Sequence, residues 1–187
     1  MSTICTYSGR YVDPFNLSVR DVNIVDIAHA LSMQCRFAGH VREFYSVAQH
    51  SLIVEQLLPA EIVDPRVRLQ ALLHDAPEAY LSDIVAPVKH RLPEYQSLEG
   101  SVWGVIAAGF DLSSVMHRAV KEADLLALAW ERRDLVNHRG VAWALPERLV
   151  PPDVILRPQG PGEARSAFID RARTLGEAIY ARGAGVR

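Results

Sequence analysis

The sequence has few of the residues and patterns that mark several large classes of protein. Its two cysteines, Cys5 and Cys35, form no CxxC pair, which excludes a disulfide-stapled scaffold and favours reduced thiols. No apolar run approaches the ~20 residues that a membrane span needs. The first residues lack the charged and apolar regions of a secretory leader. We therefore expect a cytoplasmic protein that does not enter a membrane.

The chain also lacks an excess of positive charge. Its 20 basic and 22 acidic side chains give a formal net charge of −2. This balance disfavours binding to duplex nucleic acid, because affinity for a phosphate backbone depends on clustered Lys and Arg. No GxGxxG or P-loop pattern is present, so a dinucleotide or Walker-type site is not predicted. A small phosphate-bearing ligand stays open, since a few local cations are enough to hold one.

The remaining pattern predicts one all-α domain over residues 1–187, a length sufficient for one hydrophobic core. Residues 1–23 are predicted to form an extended arm with a small hairpin, 24–136 a helical core, and 137–187 a proline-rich loop and a C-terminal helix. Hydrophobic periodicity predicts five or six helices. The first helix begins at Ile24. The others are predicted over about 46–58, 64–80 with a kink or new turn at Pro77, 94–108, 113 or 114 to 136, and 163–181.

The sharpest local signal is the dipeptide His74-Asp75 at the end of an apolar run. An imidazole and a carboxylate side by side suit one transition-metal ion. Glu78 follows at helical spacing, so it projects over the same face. The same dipeptide also occurs on the surface of amphipathic helices, and alone it does not decide between the two interpretations.

Two further residues favour the metal hypothesis. His50 lies between apolar residues, where a histidine serves either as a satisfied core residue or as a ligand. Asp124 stands in the apolar segment 123–130, and a carboxylate there requires a cation or a buried donor. Three separate helices are thus predicted to contribute His50, His74-Asp75 and Asp124.

The order H…HD…D resembles the HD-domain metal-dependent phosphohydrolases. The resemblance is closest to their small bacterial and phage branch, which includes 5′-deoxynucleotidases and dATP triphosphohydrolases. It spans roughly 4–95 and 121–134, and the segments that carry it are IAHALS (27–32), CRFAGH (35–40), FYSVAQHS (44–51), LLHDAPEAY (72–80) and DIVAPVK (83–89).

The resemblance implies an HD-domain helical bundle with a metal site at its centre. His50, His74, Asp75 and Asp124 match the four metal ligands, and Glu78 matches the catalytic carboxylate of HDxxE. One divalent transition metal (Zn, Co, Mn, Fe or Ni) is implied, with an additional Mg²⁺ allowed. Such a metal acts as a Lewis acid toward water and a phosphate oxygen.

The resemblance also implies a set of substrate-binding residues. Arg36 matches the arginine that holds the phosphate, one residue closer to the histidine ligand than in some relatives. Phe37 takes the place where relatives often carry Trp beside the sugar or base. Asp83 matches the acid that binds the sugar 3′-hydroxyl, and Lys89 a lysine at the pocket mouth. His40 is a further candidate, although many nucleotidases of the family lack GH at this point.

The implied activity is hydrolysis of deoxynucleoside 5′-monophosphates to deoxynucleoside and phosphate. A dATP-preferring triphosphohydrolase of the phage type is the alternative, and a non-catalytic nucleotide-binding module is the third hypothesis. The expected partner is a small deoxynucleotide rather than duplex nucleic acid or a membrane, and we expect a homo-oligomer. The location is then the cytoplasm, or the host cytoplasm if a phage encodes the chain.

Two other groups of residues receive a plain structural interpretation. Residues 131–134, Glu-Arg-Arg-Asp, are predicted to form a solvated helix face with local ion pairs. Trp103, Trp130 and Trp143 are predicted to be core or interface anchors.

Overall fold

The chain begins with a small hairpin in a computed structural model that describes residues 2–146 and 148–184. Strands β1 (Ile4–Cys5) and β2 (Tyr11–Val12) pair antiparallel, with Ile4 opposite Val12. Gly9 adopts φ 81° in the connecting turn, a conformation that favours glycine. The predicted N-terminal hairpin is confirmed.

The rest of the described chain is mainly helical, which confirms the all-α prediction at this level. Among the described residues, none of the helices combines the length and the apolar composition required to cross a membrane. The helices are α1 (Ile24–Met33), α2 (Val47–Gln56), α3 (Pro65–Leu73), α4 (Glu78–Leu81), α5 (Ala86–Lys89), α6 (Pro93–Gly109), α7 (Arg118–Asp134) and α8 (Pro161–Ala184).

The helix predicted over 64–80 is interrupted at Pro77 as expected, but the interruption begins earlier than predicted, directly after Leu73. Its start is as predicted, since the Asp64 side chain accepts a hydrogen bond from Arg66 N and Pro65 occupies the first turn. However, α3 ends at Leu73 and a turn over 74–77 precedes α4. Pro77 has no N–H to donate to Leu73 O, so the helical ladder is interrupted there. His74 and Asp75 therefore lie in a turn rather than on a regular helix.

The predicted start of the fifth helix at Ser113 or Ser114 is wrong, because α7 begins at Arg118. Gln70 on α3 explains the difference. Its Nε2 donates to Ser113 O at 2.8 Å and to Val115 O at 3.0 Å, and its Oε1 accepts from His117 N at 2.7 Å. These bonds hold residues 113–117 in a loop.

Helix α2 is the central element of the bundle. Its residues from Val47 to Glu55 are all buried. They contact α1, α3 and α8 on one side and α7 on the other. A helix that is surrounded on all sides shields every side chain it carries from water. His50 is accordingly 0% exposed.

A buried ion cluster fastens the end of α2 to its neighbours. Glu55 accepts hydrogen bonds from Arg68 of α3 at 2.7 Å and from Arg171 of α8 at 2.6 and 3.0 Å. The carboxylate is buried, whereas both guanidinium groups keep partial access to water. Glu55 thus links three helices by charge-assisted bonds.

Glu55→Ala should lower the free energy of unfolding by about 2–3 kcal/mol, because it removes the charge-assisted hydrogen bonds from Arg68 and Arg171. Chemical denaturation would measure the change. The control is Glu61→Ala at an exposed position, which should change stability by less than about 0.5 kcal/mol. An equal effect of the two substitutions would contradict this role of Glu55.

Candidate metal centre

Two imidazole rings meet where α2 packs against the end of α3. His50 comes from the middle of α2, and His74 directly follows α3. Their Nε2 atoms are 3.2 Å apart. The Nδ1 atom of His50 lies 2.6 Å from Glu131 Oε1, and that of His74 lies 2.8 Å from Ala71 O. A carboxylate and a carbonyl only accept, so each Nδ1 carries a proton and each neutral ring presents an Nε2 lone pair.

Two lone pairs facing each other at this distance repel unless a cation or a proton lies between them. In the metal-free chain a proton can take this place. Burial alone would lower the pKa of His74, but the adjacent Asp75 carboxylate raises it to about 9. A divalent cation would replace that proton, as metal sites generally require deprotonated ligands.

Two carboxylates complete the group. Asp124 Oδ1 lies 3.1 Å from His50 Nε2 and 3.9 Å from His74 Nε2, and Asp75 Oδ2 lies 3.5 and 3.2 Å from the same atoms. Ligand atoms at ~2.1 Å from a tetrahedral ion are about 3.4 Å apart, so these spacings fit. His50, His74 and Asp124 form a group that could hold a metal ion. Asp75 adjoins it, and the donors are nitrogen and oxygen, without sulfur.

Glu131 lies fully buried behind His50, so its prediction as part of a solvated helix face is wrong. Besides His50 Nδ1, its Oε1 accepts from Tyr45 Oη at 2.9 Å, and its Oε2 lies 3.2 Å from both Nε and Nη2 of Arg36. Burial opposes ionisation, but Arg36 and His50 lower the pKa of Glu131 and keep it anionic. A carboxylate behind a metal-binding imidazole fixes its tautomer and orientation.

The position of Glu131 could have been found in the sequence. It comes seven residues after Asp124, two turns further along the same face of α7. The buried stripe of that helix runs through Val120, Ala123 and Ala127 and reaches Glu131. The neighbouring charges of Arg132, Arg133 and Asp134 concealed this periodicity.

Arg36 connects Glu131 to the candidate ligands. Its Nη1 lies 3.5 Å from Asp75 Oδ2, and its side chain is mostly buried. Burial opposes the charge, but Glu131 and Asp75 raise the pKa of Arg36 above its usual range. The predicted phosphate-binding cation therefore lies beside the predicted metal site.

Phe37 follows Arg36 in a strained turn. Phe37 and Ala38 have φ 57° and 51°, both in the left-handed region, where each non-glycine residue costs about 1–2 kcal/mol. Trp143, predicted to be a core or interface anchor, lies half-buried with its ring centroid 6.1 Å from that of Phe37. His40 is exposed at the end of this turn, and its N–H donates to Phe37 O at 3.0 Å. Its role in substrate binding stays a prediction.

Glu78 begins α4 and is buried. Its Oε1 lies 3.3 Å from Lys89 Nζ, and its Oε2 is a buried oxygen with no hydrogen-bond partner among the described residues. Burial and the charges of Asp75 and Asp83 raise the pKa of Glu78 to about 9. An unpartnered buried carboxylate oxygen is costly and is characteristic of functional sites.

Lys89 and Asp83 lie on the chain that follows α4. Lys89 Nζ also contacts Glu99 Oε1 at 2.7 Å, so this lysine bridges Glu78 and Glu99. Asp83 is half-buried, and burial raises its pKa. Gln34 fixes the segment, since its Nε2 donates to Glu78 O at 3.0 Å and its Oε1 accepts from Asp83 N at 2.9 Å. Sequence reasoning missed Gln34, which has no distinguishing spacing.

Fold and site together define a mainly helical protein with a cluster of histidine and aspartate, of which His50 is fully buried and the others are partly accessible. The chain is 42% identical over 178 residues to the uncharacterized protein YfdR of Escherichia coli K12, which covers 95% of this chain and 97% of YfdR. It is 35% identical over 181 residues to an uncharacterized protein of Rhodobacter capsulatus, covering 90% and 92%. The chain therefore belongs to the YfdR family. No family model matches it.

The purified chain should bind about one equivalent of Zn²⁺ or Co²⁺, and His74→Ala or Asp124→Ala should lose it. Glu131→Gln should keep the site but weaken metal binding by about 10- to 100-fold, because it removes the anion behind His50. Elemental analysis and competition titration would measure both effects. Glu122→Gln on α7 and exposed His90→Ala are the controls. Full metal content in the His74 and Asp124 variants would contradict the assignment.

Proposed function

We propose that this protein is an HD-domain metal-dependent phosphohydrolase that converts deoxynucleoside 5′-monophosphates to deoxynucleoside and phosphate. One juxtaposition carries the proposal. Asp75, which adjoins the group of side chains able to hold a metal, contacts the Arg36 guanidinium, and its charge also acts on Glu78, a buried carboxylate three residues further on with an unpartnered oxygen. Cation, phosphate-binding fork and proton acceptor are the three components that hydrolysis of a phosphate ester requires.

His50, His74, Asp75 and Asp124 would hold the metal. When bound, it would supply Lewis-acid activation of water and of a phosphate oxygen. Arg36 offers the phosphate oxygens the guanidinium N–H groups that its contacts with Asp75 and Glu131 leave over. The water oxygen attacks phosphorus in line and the bond from phosphorus to the 5′-oxygen breaks. The 5′-oxygen takes up a proton from solvent and leaves as the hydroxyl of the nucleoside, and Glu78 later releases the proton it has accepted.

Glu78 takes the proton of the attacking water at Oε2. The pKa of about 9 belongs to the metal-free chain, where burial and, after it, the charges of Asp75 and Asp83 favour the protonated carboxyl. A divalent cation beside Asp75 opposes that effect and favours the carboxylate, which can accept a proton. Lys89 at Oε1 also supports the charged form and leaves the second oxygen free.

Asp83 and Phe37 are the candidates for recognition of the sugar. Asp83 accepts a hydrogen bond from the 3′-hydroxyl, and the Phe37 ring lies against the 2′-carbon. A ribonucleotide would then bury a 2′-hydroxyl without a partner, at a cost of about 1–3 kcal/mol. This corresponds to a preference of roughly 5- to 150-fold for the deoxynucleotide.

The ion pairs favour a monophosphate over a triphosphate. Arg36 already neutralises Asp75 and Glu131, and Lys89 already neutralises Glu78 and Glu99. If Lys89 were to neutralise two further phosphate groups, it would have to share its charge among these and the two carboxylates that it already pairs with. We therefore rank the triphosphohydrolase second.

The test is a panel of dNMP, NMP, dNTP and NTP, each with Mn²⁺, Co²⁺, Zn²⁺ or Mg²⁺. We expect phosphate release from deoxynucleoside monophosphates, faster than from ribonucleoside monophosphates. Release of triphosphate from dNTP would identify the alternative activity. Binding of nucleotide without any product would instead identify a non-catalytic module, and equal kcat/KM for dAMP and AMP would exclude the proposed sugar recognition.

Glu78→Gln should retain metal and deoxynucleotide binding but lose about 10²- to 10⁴-fold in kcat, since it removes the proton acceptor. Single-turnover hydrolysis and nucleotide titration of the same preparation would separate catalysis from binding. Glu94→Gln, at an exposed position in the first turn of α6, is the matched control. A near-normal rate for the Glu78 variant would remove it from the mechanism.

A further inference from the structure

Trp143 lies close to the candidate site although it is far from it in the sequence. It belongs to the proline-rich segment 135–160, between α7 and α8. Its ring is tilted by 51° against that of Phe37, with 6.1 Å between the centroids. The guanidinium carbon of Arg36 lies 5.3 Å from the Phe37 centroid, and Arg36 contacts Asp75. Asp75, the Arg36 cation, the Phe37 ring and the Trp143 indole therefore form one row of neighbouring groups.

The end of α7 holds this segment in place. The Arg132 guanidinium lies 5.6 Å from the Trp143 centroid and also donates to Val141 O. Arg133 donates to Pro152 O at 2.9 Å and to Val154 O at 2.6 Å. The segment is thus anchored on both sides of Trp143, whose ring is half-buried and keeps access to a ligand.

The Phe37 side of this pair is strained. Phe37 and Ala38 both occupy the left-handed region, although neither is glycine. Backbone strain of this kind persists only where the surroundings over-determine it, and it concentrates at ligand-binding sites. Here Arg36 anchors one end of the turn through its ion pairs with Asp75 and Glu131.

We propose that Trp143 continues the aromatic surface of Phe37 beyond the sugar and contacts the nucleobase of the substrate. This inference rests on the proposed function, since it assigns the base end of the same site. A nucleoside monophosphate presents phosphate, sugar and base in the same order as Arg36, Phe37 and Trp143. Aromatic side chains hold bases by stacking, and loss of one such contact reduces affinity by roughly 5- to 150-fold.

The test compares two substrates for the metal-loaded protein, a deoxynucleoside monophosphate and deoxyribose 5-phosphate, which has no base. Trp143→Ala should raise KM for dAMP by about 5-fold or more, with little change in kcat. It should leave kcat/KM for deoxyribose 5-phosphate unchanged. Trp143→Phe should restore most of the affinity for dAMP. Trp103→Phe, a change in the core, is the tryptophan control.

Equal losses for the two substrates would show that Trp143 only supports the fold, and would overturn the proposal. Intrinsic fluorescence provides a readout that does not depend on turnover. Titration with dAMP should quench the emission of the unmodified protein and of Trp103→Phe, but not the emission that remains in Trp143→Phe. Quenching at Trp143 without hydrolysis would refute the proposed phosphohydrolase and retain the base contact. Hydrolysis that does not respond to substitution of Trp143 would retain the proposed phosphohydrolase and refute the base contact.

Discussion

The structure depends on a close approach of two imidazole nitrogens, His50 Nε2 and His74 Nε2, at 3.2 Å. Each ring has its other nitrogen bound to an acceptor, so the approach is unfavourable without a positive charge between the rings. The surroundings are built to maintain it. His50 lies on a helix buried all round, and His74 lies in the turn that Pro77 produces after α3. Asp75 and Asp124 supply the negative charge that a cation would balance.

Alternating charges extend outward from this pair. On one side Glu131 binds His50 and Arg36, and Arg36 reaches back to Asp75. On the other side Lys89 lies between Glu78 and Glu99. Buried charges are stable only when they are paired and hydrogen-bonded. Most side chains of this network are paired in this way. The exception is Oε2 of Glu78, a buried oxygen without a hydrogen-bond partner among the described residues, which is therefore able to accept a proton or a hydrogen bond from a ligand.

Much of this arrangement could be predicted from the sequence, for identifiable reasons. The helical periodicity predicted the bundle, and His50, His74-Asp75 and Asp124 were conspicuous because polar residues stood in apolar segments. Glu131 was not recognised because its charged neighbours suggested an exposed face. Trp143 was interpreted only as a core or interface anchor, because Phe37, beside which it lies, is distant in the sequence. A side chain that positions another is hard to find from residue spacing in the sequence, because the residue it positions belongs to a different helix or loop.

A crystal structure of the chain grown with Zn²⁺ or Co²⁺, with anomalous data on both sides of the metal edge, tests the central claim most directly. The account predicts one anomalous peak within about 2.2 Å of both Nε2 atoms and of a carboxylate oxygen from Asp124. An imidazole pair bridged only by a proton, with no anomalous peak and no change of geometry at saturating metal, would contradict it.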